Sequence, residues 1–239
     1  MPTPEPCVWR FPRFYRLVLG LALLSVSVAM THCKHATPVD PTPYLSPLEQ
    51  AVVHEINVAR TEPHKYAAFL APLRSHFVGT TLQQPGDLAP ATDRGATLVT
   101  HEGVKAVEEA VTFLRTTPPL PPLTASRGMS LGAKDHVKDQ GQAGTIGHQG
   151  SDRSRSEDRL NRYGRWQGKS AENIAYGVAS ARGMIMTLII DDGVPGRGHR
   201  HNLFDPQAHV VGVACGPHRT WQIVCVMTFA VGYLERPTP

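Results

Sequence analysis

The sequence predicts an α+β fold, in which helices cover a small antiparallel sheet. Three observations point there. Stretches with apolar residues at helical spacing, such as residues 48–59 and 129–140, are interrupted by only a few strand-like runs. The clearest of these runs, residues 210–215 and 223–229, flank a turn at Gly216 to Thr220 and read as a hairpin. The chain has 239 residues of which 41% are hydrophobic, enough for one real core, and nothing in it requires a second domain.

At the N-terminus, Arg10, Arg13 and Arg16 precede residues 17–30, an almost wholly apolar run. It is too short to cross about 30 Å of hydrocarbon but right for the core of a signal peptide. Ser27, Val28 and Ala29 put small residues where a signal peptidase reads, so residues 1–29 are expected to be a signal peptide. Met30, Thr31, His32 and Cys33 resemble a bacterial lipobox, except that bulky His32 stands where a small residue belongs. A soluble product, secreted or held in the cell envelope, is therefore expected ahead of a lipoprotein anchored at Cys33. No stable transmembrane segment is expected after processing.

Residues 30–44 read as a Pro-rich linker and residues 45–235 as the domain. Ser46, Pro47, Leu48 and Glu49 spell a capping box with Pro at the first helical position. The helix it opens puts Leu48, Val52, Val53, Ile56 and Ala59 on one face, with His54, Arg60 and Glu62 pointing elsewhere. Residues 79–95 are polar, rich in Gly and Pro and aperiodic, which predicts a long surface loop. Residues 104–114 form a second helical pattern, stopped by Pro118, Pro119, Pro121 and Pro122. Residues 129–140 form a third, which Gly141 should end, delivering His148. A short helix over residues 156–163 stops at Gly164, a strand follows over 171–176, and Ser180 caps an apolar helix over 181–190.

The formal charge is +4, and without the first thirty residues 21 basic and 19 acidic residues remain, a balance of +2. That is too little and too scattered for a nucleic-acid footprint. Cys7 and Cys33 fall in the targeting region, leaving Cys215 and Cys225 in the domain. Folding the hairpin about its centre sets these two opposite one another, so an exported chain should bridge them, contributing roughly 2–3 kcal/mol.

The chemistry concentrates in three glycine-flanked segments. The first is Gly147, His148, Gln149, Gly150, Ser151 and Asp152; the second runs from Ala171, Glu172, Asn173 and Ile174 to Gly177; the third runs from Asp191, Asp192 and Gly193 through Gly198, His199, Arg200, His201 and Asn202 to Leu203. Two imidazoles and two carboxylates can serve proton transfer or hold a divalent cation. Glu172 lies in an otherwise small and apolar strand, where an unpaired carboxylate would be costly. Ser151 and Asp152 read as caps of a turn, and Arg200 and Asn202 as anchors of their loop. His201 should point away from His199. His54-Glu55 and His101-Glu102 each begin like a zinc-protease motif, but the second His is missing in both. No Gly-x-Ser-x-Gly elbow occurs.

The order and spacing of these segments resemble the CAP superfamily, the SCP-like domain of cysteine-rich secretory proteins, venom allergens and plant pathogenesis-related proteins. The likeness covers residues 45–234 and is strongest to the compact bacterial members. It implies a three-layer α-β-α sandwich and a cleft made by His148, Glu172, Asp191 and His199. It further implies sterol or lipid binding and cation-dependent behaviour in some members, with no agreed catalytic activity; the two imidazoles, His148 and His199, suit a divalent cation such as zinc. Two positions depart from the pattern: Asp191, with Asp192 beside it, stands where Glu is usual, and Leu188 and Ile189 stand where a Trp is usual. The function expected from this is a binding or interaction module for a small or lipid-like ligand or another protein. The alternative is a metal-assisted or His-based hydrolase, with His199 or His148 as base, Glu172 orienting it, and metal-bound water or Ser151 attacking.

Overall fold

Helix α1 (Pro47–Thr61) begins as its capping box dictates: Ser46 Oγ accepts from Glu49 N, and the Glu49 carboxylate accepts from Ser46 N at 2.7 Å. The structure is a computed structural model that describes residues 42–93 and 95–237. The expected signal peptide, Cys33 and linker residues 30–41 lie outside the described residues. Val52, Ile56 and Ala59 are buried as the stripe predicts. Arg60 does not point elsewhere. It is fully buried, and its guanidinium donates to the carbonyls of Pro121, Leu203, Asp205 and Ala208. A planar fork of donors can be buried when backbone acceptors converge on it.

Helix α2 (Pro63–Leu70) leads through a 3₁₀ turn (Ala71–His76) to a small antiparallel sheet of β1 (Phe77–Val78), β2 (Thr81–Leu82) and β3 (Leu98–Val99). The segment expected to be a plain surface loop therefore carries a strand and a second 3₁₀ turn (Gly86–Leu88). Leu82 and Leu88 sink into the core, spaced too irregularly to leave a period. Helix α3 (Val104–Thr116) follows, then β4 (Thr124–Ala125) and α4 (Arg127–Ala143), which Ser126 caps. Helix α4 runs through Gly141 and stops at Gly144, in the left-handed region at φ 76°. Gly141 is glycine because an added Cβ would stand 2.3 Å from the Pro217 carbonyl oxygen.

Helix α5 (Ser156–Asn161) is shorter than its pattern, because Gly164 already opens the long strand β5 (Gly164–Tyr176). Helix α6 (Ala181–Ile190) starts at the Ser180 cap. The segment around His199 is not a loop but a short helix, α7 (Gly198–Leu203). Strands β6 (Val210–His218) and β7 (Gln222–Glu235) close the chain, with Cys215 and Cys225 paired across the hairpin and joined by a disulfide.

The main sheet has the order β4-β6-β7-β5. It is antiparallel except that β4 runs parallel to β6, so it is mixed at one edge. Alternation along β6 and β7 makes the layers. Val211, Val213, Cys225, Met227 and Phe229 share a core with α1, α3 and α6, whereas Ala214, Val224 and Val226 pack with Ala133 and Val137 of α4. The result is a three-layer α-β-α sandwich. Among the described residues no helix is long and apolar enough to cross a membrane.

Candidate functional site: two histidine–carboxylate pairs and two cavities

The four residues singled out in the sequence form two pairs. Strand β5 presents Glu172, which is 8% exposed. Its Oε1 meets His148 Nδ1 at 3.0 Å and its Oε2 accepts from Arg159 Nη2 at 2.8 Å. Arg159, on α5, is buried and also donates to the backbone carbonyls of His148 and Ser154. Burial alone would raise the Glu172 carboxyl, but the His148 contact and the Arg159 charge hold it below the ordinary carboxylate range. Strand geometry thus delivers the carboxylate, and the buried cation keeps it ionised.

The second pair sits where α6 ends and α7 begins. Asp191 is the left-handed cap of α6, at φ 54°. Its Oδ1 meets His199 Nδ1 at 2.7 Å, while Oδ2 accepts from the His199 backbone N–H at 2.9 Å. An anion at a helix C-terminus is ill placed for the dipole of α6, and the N-terminal N–H groups of α7 supply what it lacks. Asp192 faces another way and accepts from the backbone N–H groups of His101 and Glu102. Asp191, and not Asp192, is therefore the acid that meets His199.

Neighbouring residues fix this frame. Asn173, next to Glu172, donates to the His199 carbonyl and accepts from Asn202, so β5 and α7 are tied backbone to side chain. Arg200 is buried, donating to Ile189 and Ile190 carbonyls and to Glu109. His201 is exposed. Ser151 donates to Asp139 at 2.6 Å, and Asp152 accepts from Ser154 N, the turn-forming roles their sequence suggested.

The pairs open into different cavities. The first, of about 620 Å³, is lined by His199, Asp191 and mostly apolar side chains, including Leu82, Leu88, Leu98, Ile174 and Leu188. Val99, Ile146 and Trp221 belong to its lining and are exposed. Tyr176 also lines it, with its hydroxyl donating to Gln140 and accepting from Gly147 N; burial pushes that hydroxyl's pKa up. The second cavity, of about 530 Å³, is polar and lined by His148, Gln149, Arg155, Ser156, Glu157 and Glu172.

In both pairs a carboxylate occupies Nδ1 of the imidazole. That leaves Nε2 as the outward donor atom, the arrangement in which a carboxylate orients a metal-ligating histidine. The donor chemistry suits zinc one imidazole at a time. No group of three or more His, Cys, Asp or Glu that could hold a metal ion gathers among the described residues.

Sequence reasoning missed Arg159, Tyr176, Trp221 and Ser156. Arg159 had a signal in principle, since a buried Glu172 demands a cation. The others lack one, because a cavity is lined by residues far apart in the chain.

The profile of the cysteine-rich secretory protein family, CAP, matches residues 109–229. Similar solved structures include an extracellular protein containing a SCP domain from Bacillus anthracis str. Ames, with 20% identity and a TM-score of 0.39 over 52% of this chain and 38% of that one. Another is an outer surface protein from Borrelia burgdorferi, with 16% identity and a TM-score of 0.40 over 49% of this chain and 80% of that one. A cysteine-rich secretory protein from Staphylococcus aureus subsp. aureus Mu50 shares 15% identity, with a TM-score of 0.33 over 54% of this chain and 38% of that one. The aligned part thus spans less than half the length of the first and last of these structures. No curated protein matches the chain. With its profile spanning both histidine–carboxylate pairs and most of the main sheet, the chain belongs to the CAP, or cysteine-rich secretory protein, family.

Proposed function

We propose that this chain is an exported binding module whose apolar cavity takes a small lipid-like ligand. The observation that carries the reading is the pairing of about 620 Å³ of mainly apolar space with one oriented imidazole, His199, in its wall. Such a site matches the usual make-up of ligand pockets, apolar walls with a few placed polar groups. An acyl chain or fused ring system would fill the space between Leu88, Leu98 and Leu188, and a hydroxyl or carboxylate head would meet His199. The basic, then apolar N-terminus and the Cys215–Cys225 disulfide support export.

Trp221 in the lining supplies the readout. Titration with a long-chain fatty acid is expected to change tryptophan emission saturably, and Leu98→Trp, which fills the cavity, should weaken binding at least tenfold. A fatty acid that leaves Trp221 emission unaltered and fails to raise the melting temperature would overturn the reading. A divalent cation held by one imidazole at a time, at His199 in the apolar cavity or at His148 in the polar one, belongs to the same proposal. Calorimetry should show zinc binding that drops in His148→Ala and in His199→Ala, and parent-like affinity in both variants would remove the cation from it.

A further inference from the structure

We infer that residues 117–123, between α3 and β4, form a rigid polyproline ridge that docks into the aromatic-lined, acid-flanked groove of a partner protein's polyproline-binding domain. The ridge lines neither cavity and stands independently of the lipid-binding reading.

The sequence sets the backbone of this segment. Pro118, Pro119, Pro121 and Pro122 each fix φ at about −65°. Thr117, Pro118, Leu120 and Pro121 each precede a proline, which keeps them out of the helical region. Thr117, at φ −76° and ψ 125°, lies in the polyproline II range. That helix has about three residues per turn, so positions three apart share an edge. Leu120 and Leu123 make the edge that packs on the core, Leu123 being 4% exposed. The other two edges, Pro118 with Pro121 and Pro119 with Pro122, are exposed.

Hydrogen bonds hold the ridge from behind and leave its front as acceptors only. The Leu120 N–H donates to the Arg60 carbonyl at 2.8 Å, and the Leu123 N–H to Asn57 Oδ1 at 2.7 Å. Arg60 Nε donates to the Pro121 carbonyl and Asn57 Nδ2 to the Leu123 carbonyl, both at 3.0 Å. Thr117 gives its N–H and its hydroxyl to the Phe113 carbonyl. Proline has no N–H, so every donor of the segment is used. The carbonyls of Pro118, Pro119, Leu120 and Pro122 accept from no group among the described residues. A partner must therefore bring flat apolar surface to the rings and donors to the carbonyls. Tyr and Trp supply both, an apolar ring with a polar handle. Grooves lined by aromatic side chains are what takes extended Pro-x-x-Pro segments.

Charge gives the groove a direction. Arg115, on the last turn of α3 and three residues before Pro118, is exposed and pairs with no acid among the described residues. An acidic side chain at one end of the groove complements it and sets which way the ridge lies. The fold has already ordered the ridge through α1, so docking it costs little conformational freedom.

Titrating an isotope-labelled SH3 domain and an isotope-labelled WW domain with the whole protein, followed by NMR, tests this. At least one of the two should show saturable amide shifts confined to its aromatic groove and the acidic end of that groove. Affinity should fall about tenfold in the double variant Pro118→Ala with Pro121→Ala, which strips one exposed edge. It should also fall in Arg115→Glu, and there the weakening by added salt seen with the parent should disappear. No shift in either domain, shifts outside the groove, or parent-like affinity in the proline variant would each overturn the ridge as a docking surface. Arg115→Glu alters neither a proline nor a buried residue, so it decides the matter even where the proline variant does not fold, and parent-like affinity in it overturns the proposal too.

Discussion

At the scale of single residues, Arg159 ties the stability of the fold to the candidate site. It is buried, it neutralises a buried carboxylate, and it holds the backbone that carries His148. Removing one member of such a pair leaves an uncompensated charge, so Arg159→Met should destabilise by about 3–5 kcal/mol at neutral pH. The pH dependence follows from Glu172. Its folded pKa lies below the unfolded value near 4.5, so its contribution is complete above that value and is lost as pH falls through the folded one. In Arg159→Met burial acts with less opposition, and the loss should set in at higher pH; urea denaturation at a series of pH values measures both. His136 behaves similarly on the basic side. It is fully buried, its Nε2 meets the Gly147 carbonyl at 3.0 Å, and burial together with the Arg159 charge lowers its pKa. Because the unfolded chain takes up this proton first, stability should begin to fall below about pH 6.5, the unfolded value. His136→Gln should flatten the melting temperature against pH from there downward.

At the scale of elements, helices were far more legible in the sequence than their neighbours. The Ser46 and Ser180 caps and the apolar stripes of α1, α3 and α6 were written locally, within one or two turns. What failed to show were features set by partners distant in the chain. The ends of α4 and α5 depended on whether Gly141 and Gly164 stop a helix or permit a close approach, and only the packed neighbour decides that. Arg60 looked like a surface residue because its four carbonyl acceptors lie at least 61 residues away. The site was half legible. Its four side chains stood out by their glycine-flanked setting and their family resemblance, whereas their division into two pairs, one for each cavity, depended on how β5 crosses the molecule. Two predictions belong here. Gly212→Ala would put a Cβ 2.4 Å from the Met129 backbone, forcing α4 off the sheet, and should cost about 1–3 kcal/mol. Replacing Cys215 and Cys225 together by Ala opens a short loop and should cost about 2–3 kcal/mol, read as a lower melting temperature than the oxidised parent.

At the scale of the described domain, the sandwich is closed by contacts between its beginning and its end. The capping residue Glu49 also accepts from the Cys215 backbone N–H at 2.9 Å, and Arg60 is held by carbonyls as late as Ala208. A chain that is made N-terminus first must therefore wait. Until residue 208 has emerged, the first helix carries a cation with most of its acceptors missing, and the sheet against which it packs has not been synthesised. A fragment ending at residue 202 contains His148, Glu172, Asp191 and His199, yet it should give no cooperative unfolding transition by circular dichroism and should be digested quickly by protease. Under the export proposed above this delay is an advantage, since export machinery that threads unfolded chains receives one that cannot lock shut while still in transit.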